Sequence, residues 1–389
     1  MRHPNKVSVF FAFFISCAAL MATSLTAQDT IASTHHDFAL VPVHRGLDRP
    51  WALAFLPDGR ILVTERPGRL LLVTPATATQ AARVIAVEGI PQVWASGQGG
   101  LLDITHDPAF TANKTLYFTW SKPGRGGAGT AVSRAVLDET LPGKARLVQE
   151  QVIFEMEKKT TRGQHFGSRI RFLPDGTLIF STGDRGDMDR AQDLMDAAGK
   201  IHRINTDGSI PAGNPFTARR DALPSIYSYG HRNPQGLFVD AAGNIWITEH
   251  GPQGGDELNL VEAGKNYGWP VITHGRQYGS GAKIGEGTHK AGMEQPLAIW
   301  TPSLAPSGLD SYRGSAFPRW QGDLFSGNLA GQRLVRLRMN GRQLVEEEEL
   351  LRGTLGRIRD VKTGPDGFLY LLQDGPNAGL WRLEPKDQG

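Results

Sequence analysis

The sequence predicts an all-β fold, a six-bladed β-propeller, and three observations carry that prediction. A short strand signature recurs six times along the 389 residues. Each copy joins a turn built on Gly or Asn, residues that tolerate positive φ, to an apolar run of strand length. Beyond the first 27 residues no stretch has convincing 3.6-residue periodicity, whereas 47 glycines and 24 prolines supply turns. Small sheets repeated at unequal spacing are the mark of a propeller whose blades share a core hairpin and differ in their loops.

The copies run in order. The first is PDGRILVTE from Pro57, a Pro-Asp-Gly turn followed by a continuous apolar strand. The second, DPAFTANKTLYFTW from Asp107, turns at Asn113 and alternates apolar with polar residues. The third, PDGTLIFSTGD from Pro174, repeats the first closely, and the fourth, DAAGNIWITEH from Asp240, turns on Gly243-Asn244. The fifth is FPRWQGDLFSGNL from Phe317 and the sixth PDGFLYLLQD from Pro365. Between the second and third lies KPGRGGAGT at 122–130, which reads as a flexible loop. It is no phosphate cradle, because it neither follows a parallel strand nor opens a helix. Propeller sheets pack around one channel, so residues 28–389 are expected to form a single domain despite their length.

Residues 1–27 read as an export signal. Arg2, His3 and Lys6 form a basic head, Val7 to Met21 an apolar run, and Leu25-Thr26-Ala27 a cleavage site before Gln28. The apolar run is short for a transmembrane helix, and no other segment reaches membrane length. The mature chain is therefore expected outside the cytoplasm, in the periplasm or secreted. Cys17, the only cysteine, lies inside this segment, so its removal leaves no disulfide. Phe14-Ile15-Ser16-Cys17 loosely resembles a lipoprotein box, and lipid anchoring at Cys17 is the lesser alternative. Signal removal takes two of the 42 basic residues and none of the 39 acidic ones. A chain so nearly balanced lacks the electrostatic attraction that nucleic acid binding requires.

Functional residues of a propeller gather where the loops of all blades meet at the channel mouth. Five groups of polar loop segments are candidates: SGQGGLLDI at 96–104, GQHFGSRI at 163–170, GHRNPQGL at 230–237, EHGPQGGDELN at 249–259 with KNYGWP at 265–270, and GRIRDV at 356–361. Together, and in this order, they resemble the soluble quinoprotein glucose dehydrogenase family, in particular its aldose sugar dehydrogenase branch. The likeness runs from PWALAFLPDGRILVTER at 50–66 to GPDGFLYLL at 364–372. It implies a six-bladed propeller holding pyrroloquinoline quinone (PQQ) and Ca2+, which oxidises an aldose at C1 to its lactone by hydride transfer to the quinone.

Oxidation of a hemiacetal requires a base for the hydroxyl proton, a task suited to histidine at neutral pH. His165 matches the family's base, and Asp184, closing the third strand copy, is placed to orient it. PQQ carries three carboxylates, for which arginine forks are suited. The resemblance assigns Gln98, Arg232, Asn233, Tyr278, Arg357 and Arg359 to the cofactor. In a strand, Arg357 and Arg359 would point to one side and Ile358 to the other. It assigns the carbonyls of Gly251 and Pro252 to the Ca2+ that touches PQQ, and Glu257 with Tyr267 to a further calcium site, the tyrosine through its carbonyl. Calcium accepts such main-chain oxygens readily.

One departure stands out. Where family members often carry a lysine against the cofactor, this chain has Ala330; either Arg333 reaches in or fewer cations serve. Asp184, Asp187, Asp189 and Asp193 form an acidic run without the Gly and terminal Glu of an EF-hand, and read as a solvated loop at the rim. Two rivals remain: a calcium-dependent lactonase on the same fold, and a non-catalytic propeller binding sugars or proteins. The electron acceptor is not legible, since no CxxCH haem attachment exists.

Overall fold

The structure is a computed structural model that describes residues 29–77 and 79–386; the expected export signal and Cys17 lie outside them. Strands arrange as six four-stranded antiparallel blades. Blade 1 comprises Pro50–Phe55, Ile61–Glu65, Arg69–Thr74 and Arg83–Glu88, and blade 2 Leu101–His106, Thr115–Gly124, Gly127–Asp138 and Ala145–Glu155. Blade 3 comprises Ile170–Phe172, Leu178–Thr182, Lys200–Ile204 and Ile226–Tyr229, and blade 4 Pro234–Val239, Ile245–Glu249, Asp256–Val261 and Ala298–Trp300. Blade 5 comprises Pro306–Ser311, Leu324–Asn328, Arg333–Asn340 and Gln343–Leu350. Blade 6 comprises Ile358–Thr363, Leu369–Gln373 and Ala378–Pro385, and its fourth strand is Phe38–Leu47 from the other end of the chain. Blades 1 and 2 also touch at their outer edges, where Val87 and Glu88 pair in parallel with Ala145 and Arg146.

Each signature copy is a turn followed by the second strand of a blade. These strands are rich in apolar residues because both of their faces are buried, and period-two alternation sends neighbouring side chains to opposite interfaces. In blade 1, Ile61 and Val63 pack toward blade 6 while Leu62 packs toward blade 2. In blade 6, Leu369 and Leu371 face blade 5, and Tyr370 and Leu372 face blade 1. Six apolar clusters result, one for each interface around the ring. A fully buried Leu, Ile or Phe contributes about 1.5–3 kcal/mol, so each interface is a core in its own right.

One expectation is corrected. The glycine-rich segment 122–130 is not a loop but the tip of a hairpin, with Lys122 paired to Gly129 and Gly124 to Gly127. Its glycines permit tight approach: a Cβ on Gly127 would lie 2.2 Å from the Thr160 carbonyl carbon.

The first strands of successive blades neighbour one another in a closed circle around the channel. All six run the same way. Their starts meet at one mouth, with Trp51, Leu102, Gln235 and Arg359, and their ends at the other, with Phe55, Thr105, Phe238, Asp310 and Lys362. No helix among the described residues is long and apolar enough to cross a membrane.

Candidate active site

At the mouth formed by the strand starts lies a cleft bounded by Trp51, Arg66, Gln98, Arg357, Arg359 and Asp374 among others. Three guanidinium groups face one carboxylate. Arg357 donates through Nε to Asp374 Oδ2 at 2.7 Å, and Arg359 Nη2 stands 3.3 Å from Oδ1. Both arginines therefore lie on one side, with Ile358 fully buried on the other, as their spacing predicts. The regular strand begins only at Ile358, so Arg357 belongs to the preceding loop. Burial, opposed by Asp374, lowers the Arg359 guanidinium to about 10. Arg359 also donates to Gln235 Oε1 at 3.2 Å, and its guanidinium lies 5.9 Å from the Trp51 ring centroid.

Beside the cleft stands His165. Its backbone takes φ +54°, and its N–H donates to Gln98 Oε1 at 2.8 Å. The loop is fixed from beneath: Gly167 N–H donates to Asn233 Oδ1 at 3.1 Å. A Cβ on Gly183 would lie 2.3 Å from the His165 carbonyl oxygen, so only glycine admits this approach. His165 Nδ1 is 2.6 Å from Asp184 Oδ1, whose carboxylate also accepts from Trp269 Nε1 at 2.8 Å and Gly186 N–H at 2.6 Å. An ionised carboxylate only accepts, so Nδ1 carries the proton and Nε2 keeps a lone pair. Burial lowers the His165 pKa; the Asp184 hydrogen bond opposes this and the Arg232 charge adds to it. Burial raises Asp184, but its hydrogen bonds and neighbouring cations outweigh that and hold it ionised. Asp184 is thus buried, unlike Asp189 and Asp193, which are exposed as the acidic run predicts.

A second, smaller pocket adjoins the first, and His250 lines both. It holds Arg232, Glu249, Gly251, Glu257, Tyr267 and Trp269. Glu249 and Glu257 are directly paired across neighbouring strands, and the Asn259 amide donates to both, at 3.1 and 3.0 Å. Burial and the Glu249 charge raise Glu257 to about 8. Tyr267 donates its hydroxyl to the Leu260 carbonyl at 2.6 Å and stacks on His231. That leaves its carbonyl as the oxygen available to a cation, next to a carboxylate pair that one would neutralise; this pocket fits calcium.

The residues expected around the PQQ-touching calcium fit less well. The Gly251 carbonyl accepts from Arg232 Nη1 at 2.7 Å, and the Pro252 carbonyl accepts from Tyr278 Oη at 2.9 Å and Ser303 Oγ at 3.2 Å. A cation bound there would face a guanidinium on the same oxygen. Tyr278 itself is 60% exposed and borders neither cavity, its hydroxyl held on the Pro252 carbonyl. Asn233 is fully buried and acts on the His165 loop and on His250, not on the cleft surface. Arg232 stands over Trp269, 5.4 Å from its centroid, with its buried Nε unpartnered.

Nor does Arg333 replace the missing lysine. It pairs with Glu349 on the adjacent strand, while Leu329 lines the cleft and Ala330 is exposed. The cleft instead has Arg66, which follows the first strand copy and was not predicted. Its buried Nε has no hydrogen-bond partner, while Nη1 donates to the Gly97 carbonyl at 2.7 Å. Trp51, Gln235, His250 and Asp374 were likewise missed; all sit at or next to strand ends, where a polar or aromatic residue looks like ordinary sheet. An Arg66 with a free Nε, two further arginines and a flat indole suit a planar tricarboxylate, so the cleft fits PQQ.

The Glucose / Sorbosone dehydrogenase family model matches residues 47–382. The chain is 41% identical over 348 residues to aldose sugar dehydrogenase YliI of Escherichia coli, covering 88% of this chain and 91% of that protein. It superposes on the apo-form crystal structure of the soluble aldose sugar dehydrogenase from E. coli with TM-score 0.84 and 39% identity, covering 90% and 100% of the two chains. The PQQ-bound aldose sugar dehydrogenase of Streptomyces coelicolor gives TM-score 0.74 at 29% identity, covering 90% and 98%.

Proposed function

The chain belongs to the glucose/sorbosone dehydrogenase family, and from that premise we propose that it is a PQQ- and calcium-dependent aldose dehydrogenase, oxidising the sugar at C1 to the lactone. When bound, PQQ supplies the two-electron acceptor and calcium a fixed positive charge. The observation that carries the reading is the His165–Asp184 pair at 2.6 Å beside a cleft with three arginines.

The residues divide the work. His165 Nε2 takes the C1 hydroxyl proton, and Asp184 holds the ring tautomer and stabilises the imidazolium that forms. Gln98 and Gly183 fix the loop that carries the base. Arg66, Arg357 and Arg359 would hold the cofactor carboxylates against Trp51, while Glu257, Glu249 and the Tyr267 carbonyl would hold calcium. The same reading places the mature protein in the periplasm after removal of residues 1–27, as a single propeller domain, with a separate electron acceptor.

The test is dye reduction by purified protein on addition of glucose and other aldoses. Activity requiring both PQQ and Ca2+, and reduced about 10²–10⁴-fold in His165→Ala with PQQ binding retained, supports the reading. Near-normal turnover in that variant removes His165 as the base.

A further inference from the structure

The channel mouth opposite the cleft carries a second charged site, made of residues that the dehydrogenase chemistry does not use. The ends of the six inner strands surround an opening of about 740 Å³, with Phe55, Phe172 and Phe238 at its wall and Arg171, Lys362 and Arg313 as its cations. Charge matching inside the channel is nearly complete. Asp103 pairs with Arg171 at 2.7 Å, Asp360 with Arg169 at 3.0 Å, and Asp310 with Arg313 at 3.3 Å. The same carboxylates also accept backbone N–H groups: Ile104 and Ile170 on Asp103, Leu53 on Asp360, Thr363 on Asp310.

Two donors are left over. Lys362 forms no ion pair among the described residues, because each neighbouring carboxylate already has its guanidinium. Arg171 uses Nη1 on Asp103 and the Ile170 carbonyl, while its buried Nη2 has no partner. The two like charges line one mouth, which is unfavourable unless an anion lies between them. Burial and then Arg171 push the Lys362 ammonium down to about 8, against the opposing pull of Asp360, Asp310 and Asp103.

We propose that this mouth binds a small oxyanion, inorganic phosphate or a carboxylate, held between the Lys362 ammonium and the free Arg171 nitrogen. Charge-assisted donors on two sides give such a site its affinity.

The experiment is calorimetric titration of the purified protein, with and without PQQ and Ca2+, first with phosphate and then with acetate. One saturable site per chain is expected in both states. Lys362→Gln weakens it by about tenfold or more, Lys362→Arg retains it, and aldose turnover stays unchanged in both variants. Acetate affinity falls as the pH rises through about 8, where Lys362 loses its charge. Binding of both anions marks a general oxyanion site, and binding of one alone identifies phosphate or carboxylate as the occupant. Absence of saturable binding by either overturns the proposal. So does binding lost in Arg357→Gln but kept in Lys362→Gln, which places the anion in the opposite cleft.

Discussion

The contact between His165 Nδ1 and Asp184 Oδ1 decides which ring nitrogen can accept a proton, and its electrostatics make a pH prediction. Burial sets the folded pKa of His165 below 6.5, so the basic form dominates at neutral pH, and kcat/KM should fall only as pH drops through that lowered value. Asp184 raises the pKa; Asp184→Asn should therefore move the acid limb further down while reducing turnover by on the order of tenfold or more. Lower turnover with an unmoved limb would mean that Asp184 serves the loop alone. His202 makes the corresponding stability prediction. Buried against Phe180, it is held neutral with a pKa of about 3. Unfolding returns it to 6.5, so the unfolded chain binds more protons between these values. Stability should be fully present above about 6.5 and decline as pH falls toward 3; His202→Gln should flatten that decline in urea titrations. On the proposed function Ca2+ should raise Tm, and Glu257→Gln should blunt that rise, since it removes a carboxylate from the pocket that fits the ion.

At the scale of elements, the site is a set of loops held by close approaches that only particular residues permit. Gly97 has φ +60°, and a Cβ there would lie 2.2 Å from the Gly163 carbonyl oxygen. Gly97→Ala should displace Gln98 from the His165 N–H and lower turnover more than it lowers Tm; the reverse ranking would make the loop merely structural. The turns and second strands were legible in the sequence because Pro-Asp-Gly and Gly-Asn chemistry is local. The hairpin at 122–130 was not, because Gly-rich sequence reads as disorder unless its partner strand is known. Arg333 was misplaced as a candidate for the cleft for the same reason: its partner, Glu349, lies on a neighbouring strand whose register no local pattern gives.

For the whole molecule, ring closure is the controlling feature. Phe38–Leu47 completes blade 6 by pairing with Ala378–Pro385, and Phe38 is fully buried against Phe317 and Trp320. Phe38→Ala should cost about 3–5 kcal/mol; a change within about 0.5 kcal/mol would show that closure is not needed. By itself the sequence determined the six-bladed repeat, the family, and His165, Gln98, Arg357 and Arg359 as candidates, which the structure gathers at one mouth, since turn chemistry, alternation and motif order are written along the chain. Tertiary structure alone decided the rest. Closing the ring brings strand ends from six blades together at each mouth, so Arg66 and Trp51 join the cleft and Arg232 takes the Gly251 carbonyl. The same closure puts Lys362 and Arg171 at one mouth with donors left over, because whether a charge has a partner depends on positions far apart in the chain.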